Sequence, residues 1–207
     1  MKRQISLIML GVMLLSLVAC SKTSVDTGVE VDKGEVEVEQ EVVSNTNSLE
    51  ILENVWASYD DADKFAVAGG DFDNMVQDKP GEIDVTKGED LDALFGFPAD
   101  KIEMVNNGAS LMHMMNQNTF TASVYHVSDC SGPGLSINVE TLAESIKTNI
   151  ANRQWICGCP DKLVIYNTEI DYLVVAFGAE DVVGTFEENL NEAYPSATLL
   201  FEEDLNI

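Results

Sequence analysis

From residue 119 onward the chain alternates between two hydrophobic periods, and that alternation restricts the fold more than any other feature of the sequence. Residues 119–127 are β-rich, with Phe120, Val124 and Tyr125 among them. Asn138 is placed to cap a helix whose Val139, Leu142, Ile146 and Ile150 form one stripe. Glu140 and Glu144 lie towards the start of that helix and Lys147 and Arg153 towards its end, which suits the helix dipole. Residues 162–170 and 172–177 read as two strands joined near Asp171. Residues 179–194 return to the helical period, with Val183, Phe186, Leu190 and Ala193 facing in. Pro195 ends that helix, and 197–201 is a last strand.

The resulting order, β-α-β-β-α-β, is that of the ferredoxin-like split βαβ motif. The expected class is α+β: an antiparallel sheet with two helices on one face, and additional N-terminal helices on the other face or at an edge. Ser48 can cap a helix over 48–59 that carries Leu49, Leu52, Val55 and Trp56 on one side. Gly69-Gly70 and Pro80-Gly81 punctuate an irregular stretch. A short helix over 88–95 follows Thr86 and stops at Gly96 and Pro98.

The N-terminus follows a different logic. Lys2 and Arg3 precede an apolar run over 5–18 that is too short for a membrane span of ~20 residues. Leu17-Val18-Ala19-Cys20 then closes the segment. This ending resembles the lipobox of bacterial lipoproteins. The resemblance implies cleavage between Ala19 and Cys20, a diacylglyceryl group on the Cys20 sulfur, and a cell-membrane location on the extracytoplasmic face. Two acyl chains suffice for stable anchoring at about 0.8 kcal/mol per buried methylene. The expected organisation is a signal peptide at 1–19, a lipidated cysteine with an acidic disordered tether at 20–47, and one α+β domain at 48–207. The tether lacks aromatics and spreads acids among valines, a composition that favours disorder.

Charge narrows the partners. The chain has 11 Lys+Arg and 36 Asp+Glu, and losing Lys2 and Arg3 with the signal leaves 9 − 36 = −27. Such a surface repels nucleic acid and anionic headgroups. No Gly-rich phosphate cradle opens a helix, and no Gly-x-Ser-x-Gly, His-Glu-x-x-His or Walker A pattern occurs. Expected partners are the membrane, through Cys20, and an envelope protein, a peptide or a glycan. No cofactor, catalytic residue or metal site is assigned. The region 69–98 is the expected place for a ligand, because it is rich in turns and carries Phe72 and Phe97 among acids. The competing reading is that these two aromatics complete the core.

Three motifs invite chemistry. With Cys20 lipidated, Cys130, Cys157 and Cys159 remain, an odd number outside the cytoplasm. Trp155-Ile156-Cys157-Gly158-Cys159-Pro160 holds the letters of a thioredoxin-type site in another order. The candidate redox pair Cys157 and Cys159 has one intervening residue and follows a helix rather than opening one, whereas low-pKa thiolates favour helix N-termini. Leu111-Met112-His113-Met114-Met115-Asn116 offers soft ligands of the kind Cu(I) accepts, but neighbours in a helix or strand point apart, and Met is a common core filler. His126, within a strand, reads as structural. Asp60, Asp61 and Asp63, and Asp71 and Asp73, lack the pattern of a calcium loop and read as turn caps.

Three stretches together resemble a group of lipoproteins from Gram-positive anaerobes, some of them labelled bacteriocin transport accessory protein. They are Ala68-Gly69-Gly70-Asp71; the Met-rich run with Thr119-Phe120-Thr121; and Gln154-Trp155-Ile156-Cys157-Gly158 with Pro160-Asp161-Lys162-Leu163. The resemblance spans most of residues 48–195 and implies no catalytic residues. The function expected is a non-catalytic accessory or binding protein of the cell envelope, with a thiol-disulfide protein using Cys157 and Cys159 as the alternative.

Overall fold

A computed structural model describes residues 47–128, 139–156, 158–169 and 171–205, all within one compact unit. Cys20, Cys130, Asn138, Cys157 and Ile170 lie outside the described residues, as do the signal and nearly all of the tether.

Eight strands form one antiparallel sheet flanked by helices. Its centre is β4 (Val105–His113), β5 (Phe120–Val127), β7 (Tyr172–Gly178) and β6 (Lys162–Thr168), in that spatial order. These strands are buried along nearly their whole length because both faces are covered. On one face, α2 (Gly88–Phe95) and α3 (Val139–Ala151) pack Leu91, Phe95, Leu142, Ile146 and Ile150 against Leu163, Ile165, Leu173, Val175 and Phe177. On the other, α1 (Ser48–Ser58) and α4 (Glu180–Ala193) pack Ile51, Leu52, Val55, Val183, Phe186 and Leu190 against Val124, Val164, Val174 and Ala176.

The expected topology is met in its first half and departs in its second. β5, α3 and β6 form a split βαβ unit with β7 inserted between the two strands. In the ferredoxin-like order the last strand would join the first, β5. Here β8 (Thr198–Asp204) pairs with β6, and the sheet reads β5-β7-β6-β8. The reason lies upstream. β4 is joined to β5 through a short turn and already occupies that edge, so β8 takes the open side of β6. This moves a helix as well. The crossovers β5→β6 and β7→β8 step in the same direction from antiparallel strands, so two connections of one hand must put their helices on opposite faces. α3 and α4 accordingly lie on opposite faces, not together on one.

Local expectations differ in smaller ways. The cap of α1 is Asn47, whose Oδ1 accepts the Glu50 N–H at 2.9 Å. Ser48 lies one position inside the helix, buried, with its hydroxyl donating to the Asn107 carbonyl at 3.4 Å. α2 occupies the expected span and ends at Gly96, whose φ of +68° is the left-handed cap that glycine accepts without strain. The exposed edge strand β8 carries a one-residue irregularity between its partners Ile165 and Tyr166 and ends in Glu202, Glu203 and Asp204. A bulge and a run of acids both discourage pairing with a second sheet.

Candidate functional site

The opposite edge of the sheet is built unusually. β1 (Val67–Gly69) pairs with β4 at Val67↔His113 and Ala68↔Met112, and β3 (Gly81–Ile83) pairs with the same edge of β4 at Gly81↔Ser110 through Ile83↔Gly108. The two are halves of one edge strand, separated by an excursion over 70–80. The excursion turns back so that β2 (Val76–Gln77) pairs with β1. Glycine makes the junction possible. A Cβ on Gly69 would lie 2.1 Å from the Gly81 nitrogen, and Gly70 has φ +89°.

One carboxylate organises the excursion. Asp71 is buried, and its Oδ1 accepts the Asp73 and Asn74 backbone N–H groups, each at 2.9 Å. Its Oδ2 accepts the Asp84 N–H at 2.7 Å, reaching across to the segment after β3. The Asn74 side-chain amide donates to both oxygens, at 3.1 and 3.2 Å. Burial pushes the Asp71 pKa up, but these donors outweigh it and hold the carboxyl below its usual value. Asp84 in turn accepts from the Thr86 N–H and hydroxyl at 3.0 and 2.6 Å, and Lys87 ion-pairs with both Asp73 and Asp84. Asp71 therefore caps a turn, as its residue type suggests, but from inside the protein and across two segments.

This anchored excursion displays large apolar side chains. Phe72 is 59% exposed and Met75 56%. Met75 also lines a cleft of about 740 Å³, together with Leu49 and Glu53 of α1, the rest of 74–76 and 79–81 of the excursion and β3, and Glu82, Ile83 and Asp84. A second cavity of about 380 Å³ shares Leu49, Glu82, Ile83 and Asp84 and extends to Asn47 and Asn107. The larger cleft overlaps the expected ligand region between Asn74 and Asp84 and adds Leu49 and Glu53 from outside it. The two aromatics singled out there separate, however. Phe97 is wholly buried, with its ring centroid 4.7 Å from that of Tyr125, and belongs to the core; only Phe72 faces solvent.

The other motifs fall elsewhere. Met112 is buried at the end of β4, whereas Met114 and Met115 are exposed in the turn that follows. The His113 Nδ1 accepts the backbone N–H groups of Met115 and Asn116, both at 3.2 Å, and its ring stacks on Phe65. His126 stacks on Tyr172 with its Nδ1 3.3 Å from the Asn107 amide. Both histidines serve local structure. Among the described residues, no group of three or more His, Cys, Asp or Glu side chains could hold a metal ion. Asp60 and Asp63 close a turn, and Asp61 pairs with Lys64 at 3.2 Å on the surface.

The Met-rich turn does meet the cysteine loop. The Asn118 side-chain amide donates to the carbonyls of Ile156 and Gly158, at 2.9 and 2.6 Å, and so stitches together two motifs far apart in sequence. Cys159 is a free thiol whose Sγ donates to the Leu205 carbonyl at 3.4 Å. Desolvation of the thiol and then the nearby Asp161 carboxylate push its pKa up. That direction is opposite to the one an attacking thiolate needs. We expect Cys159 in the folded chain to react with iodoacetamide at pH 7 more slowly than in the urea-unfolded chain, read by mass spectrometry. Faster reaction in the folded state would restore the redox alternative.

Sequence reasoning missed β4 and with it the divided strand. Asn106, Asn107 and Gly108 are poor strand formers, and the buried row beyond them was hidden inside a Met-rich run. Comparison with protein-family models, with curated proteins and with solved structures gives no match for this chain. Among the described residues, no helix is long and apolar enough to cross a membrane.

Proposed function

We propose that this chain is a membrane-anchored extracytoplasmic lipoprotein whose domain binds a partner of the cell envelope without acting on it chemically. The anchor is the lipid on Cys20, and its support is the sequence Leu17-Val18-Ala19-Cys20 behind a basic, apolar leader. The observation that carries the binding half is the excursion over 70–80. It is a loop tied to the segment after β3 by a buried carboxylate, with Phe72 and Met75 in solvent and Met75 lining the larger cleft. Functional residues gather on such loops when a fixed scaffold holds them, and apolar side chains grouped on an acidic surface suit recognition.

The two halves are tested separately. Cys20→Ala should shift the protein out of the membrane fraction or leave it unprocessed, and the wild type should carry a lipid mass on Cys20. A variant that stays with the membrane, together with a wild type free of lipid, would remove the anchor. For binding, mild crosslinking on cells should capture a consistent partner that Phe72→Ser with Met75→Ser loses. An unchanged set of captured proteins would place the interaction elsewhere.

A further inference from the structure

We infer that the cleft between α1 and the divided edge strand takes a basic segment of a partner protein, with an apolar side chain seated in the cleft and Lys or Arg against its carboxylates. The inference rests on the binding reading above and adds the chemistry of the partner.

The cleft sets apolar and acidic side chains side by side. Leu49 of α1 and Met75 and Val76 of the excursion supply accessible carbon to the lining, with the buried Pro80 and Ile83 behind them. Glu53 and Glu82 reach the same cleft from α1 and from β3. Both are exposed, and among the described residues neither carries an ion pair. Asp84, the third carboxylate, is already paired with Lys87. Lys79 is the one cation in the lining. Two carboxylates without an ion-pair partner thus share the cleft with exposed carbon, and Phe72 of the same excursion is also exposed.

Charge decides among the occupants. A second copy of this chain would bring another −27 after signal removal to these carboxylates, so self-association through the cleft is opposed. The chain's own acidic segment over 26–41 is opposed for the same reason. Anionic lipid headgroups are repelled by the same carboxylates. A segment that alternates basic and apolar side chains satisfies both parts of the site at once. The charges raise the encounter rate and select the partner, and the apolar side chain supplies most of the contact area.

The test uses the full chain in a neutral detergent and three fluorescein-labelled pentapeptides: Lys-Leu-Lys-Leu-Lys, Lys-Gly-Lys-Gly-Lys and Glu-Leu-Glu-Leu-Glu. Fluorescence anisotropy should show saturable binding of the first, much weaker binding of the second, and none of the third. Glu53→Gln with Glu82→Gln should weaken the first by about fivefold, the sum expected from two exposed ion pairs. Glu188→Gln with Glu192→Gln, on the exposed side of α4, removes the same charge away from the cleft and should change it less than twofold. Equal weakening by both pairs would mean unspecific attraction to an acidic protein and would overturn the inference. So would equal binding of the acidic peptide, or binding to phosphatidylglycerol vesicles that depends on Phe72 and Met75 in place of peptide binding. If the crosslinked partner of the preceding section depends on Phe72 and Met75 but not on Glu53 and Glu82, the binding reading stands and the basic partner falls.

Discussion

Truncating Phe97 to alanine should destabilise the domain by about 3–5 kcal/mol, the usual cost of deleting a buried aromatic ring. Phe97 is fully buried, packs on Tyr125 at a centroid distance of 4.7 Å, and sits among Leu91, Phe95 and Ile146 on the α2–α3 face of the sheet. Close packing leaves those neighbours little room to fill the space. Phe72→Ser should move stability by no more than about 0.5 kcal/mol, because an exposed side chain loses little on truncation. Urea denaturation of the two variants reads the difference directly. The pair also separates the two meanings an aromatic can have in an acidic, turn-rich stretch: Phe97 should matter to folding and Phe72 to binding. A large stability loss at Phe72 would show that the excursion leans on its aromatic and would weaken its assignment as a contact surface.

The second large effect is expected at Asp71. Asp71→Asn keeps the shape but offers one acceptor oxygen where the carboxylate offers two. Either the Asp84 N–H or the pair from Asp73 and Asn74 then faces an amide donor. Leaving buried donors unmet and losing bonds to a charged acceptor costs about 2–3 kcal/mol. The loss should be local, seen as faster hydrogen exchange at the Asp73, Asn74 and Asp84 amides while β5 and β7 stay protected. The pH dependence follows from the lowered folded pKa. Stability from Asp71 is fully present above the unfolded aspartate value of about 3.9 and is lost as pH falls through the lower folded value. The wild-type excursion should therefore loosen in acid, and the asparagine variant should not share that dependence. If the Asp84 amide were equally protected in both proteins across that range, Asp71 would not be the anchor.

The legible and illegible parts of this chain divide on physical lines. α3, α4 and strands β5, β6 and β7 were readable because each carries its own period: Leu142, Ile146 and Ile150, or Val183, Phe186 and Leu190, declare a helix without help from other segments. What that local pattern could not carry was which edge β8 would choose. The choice depends on β4 occupying the free edge of β5, and β4 itself was concealed by Asn106, Asn107 and Gly108. The face taken by α4 follows from that edge, so one hidden strand altered both the order and the layering. At the candidate site, Gly69-Gly70 and Pro80-Gly81 marked the ends of the excursion, and an aspartate beside glycines signalled a turn. That Asp71 would be buried and reach Asp84 required β1 and β3 to be neighbours, which no local signal states.

A loop that interrupts one strand differs from a loop that joins two. Both halves, β1 and β3, lie in one continuous register on β4, Val67 and Ala68 opposite His113 and Met112 and Gly81 to Ile83 opposite Ser110 to Gly108. The fold asks for Gly69, Gly70 and Gly81 at the junction and for Asp71 and Asn74 as the internal anchor. It asks little of the side chains at Phe72, Met75 and Gln77, all of which project into solvent. The excursion is thus a place where side chains can change at little cost to the sheet behind it.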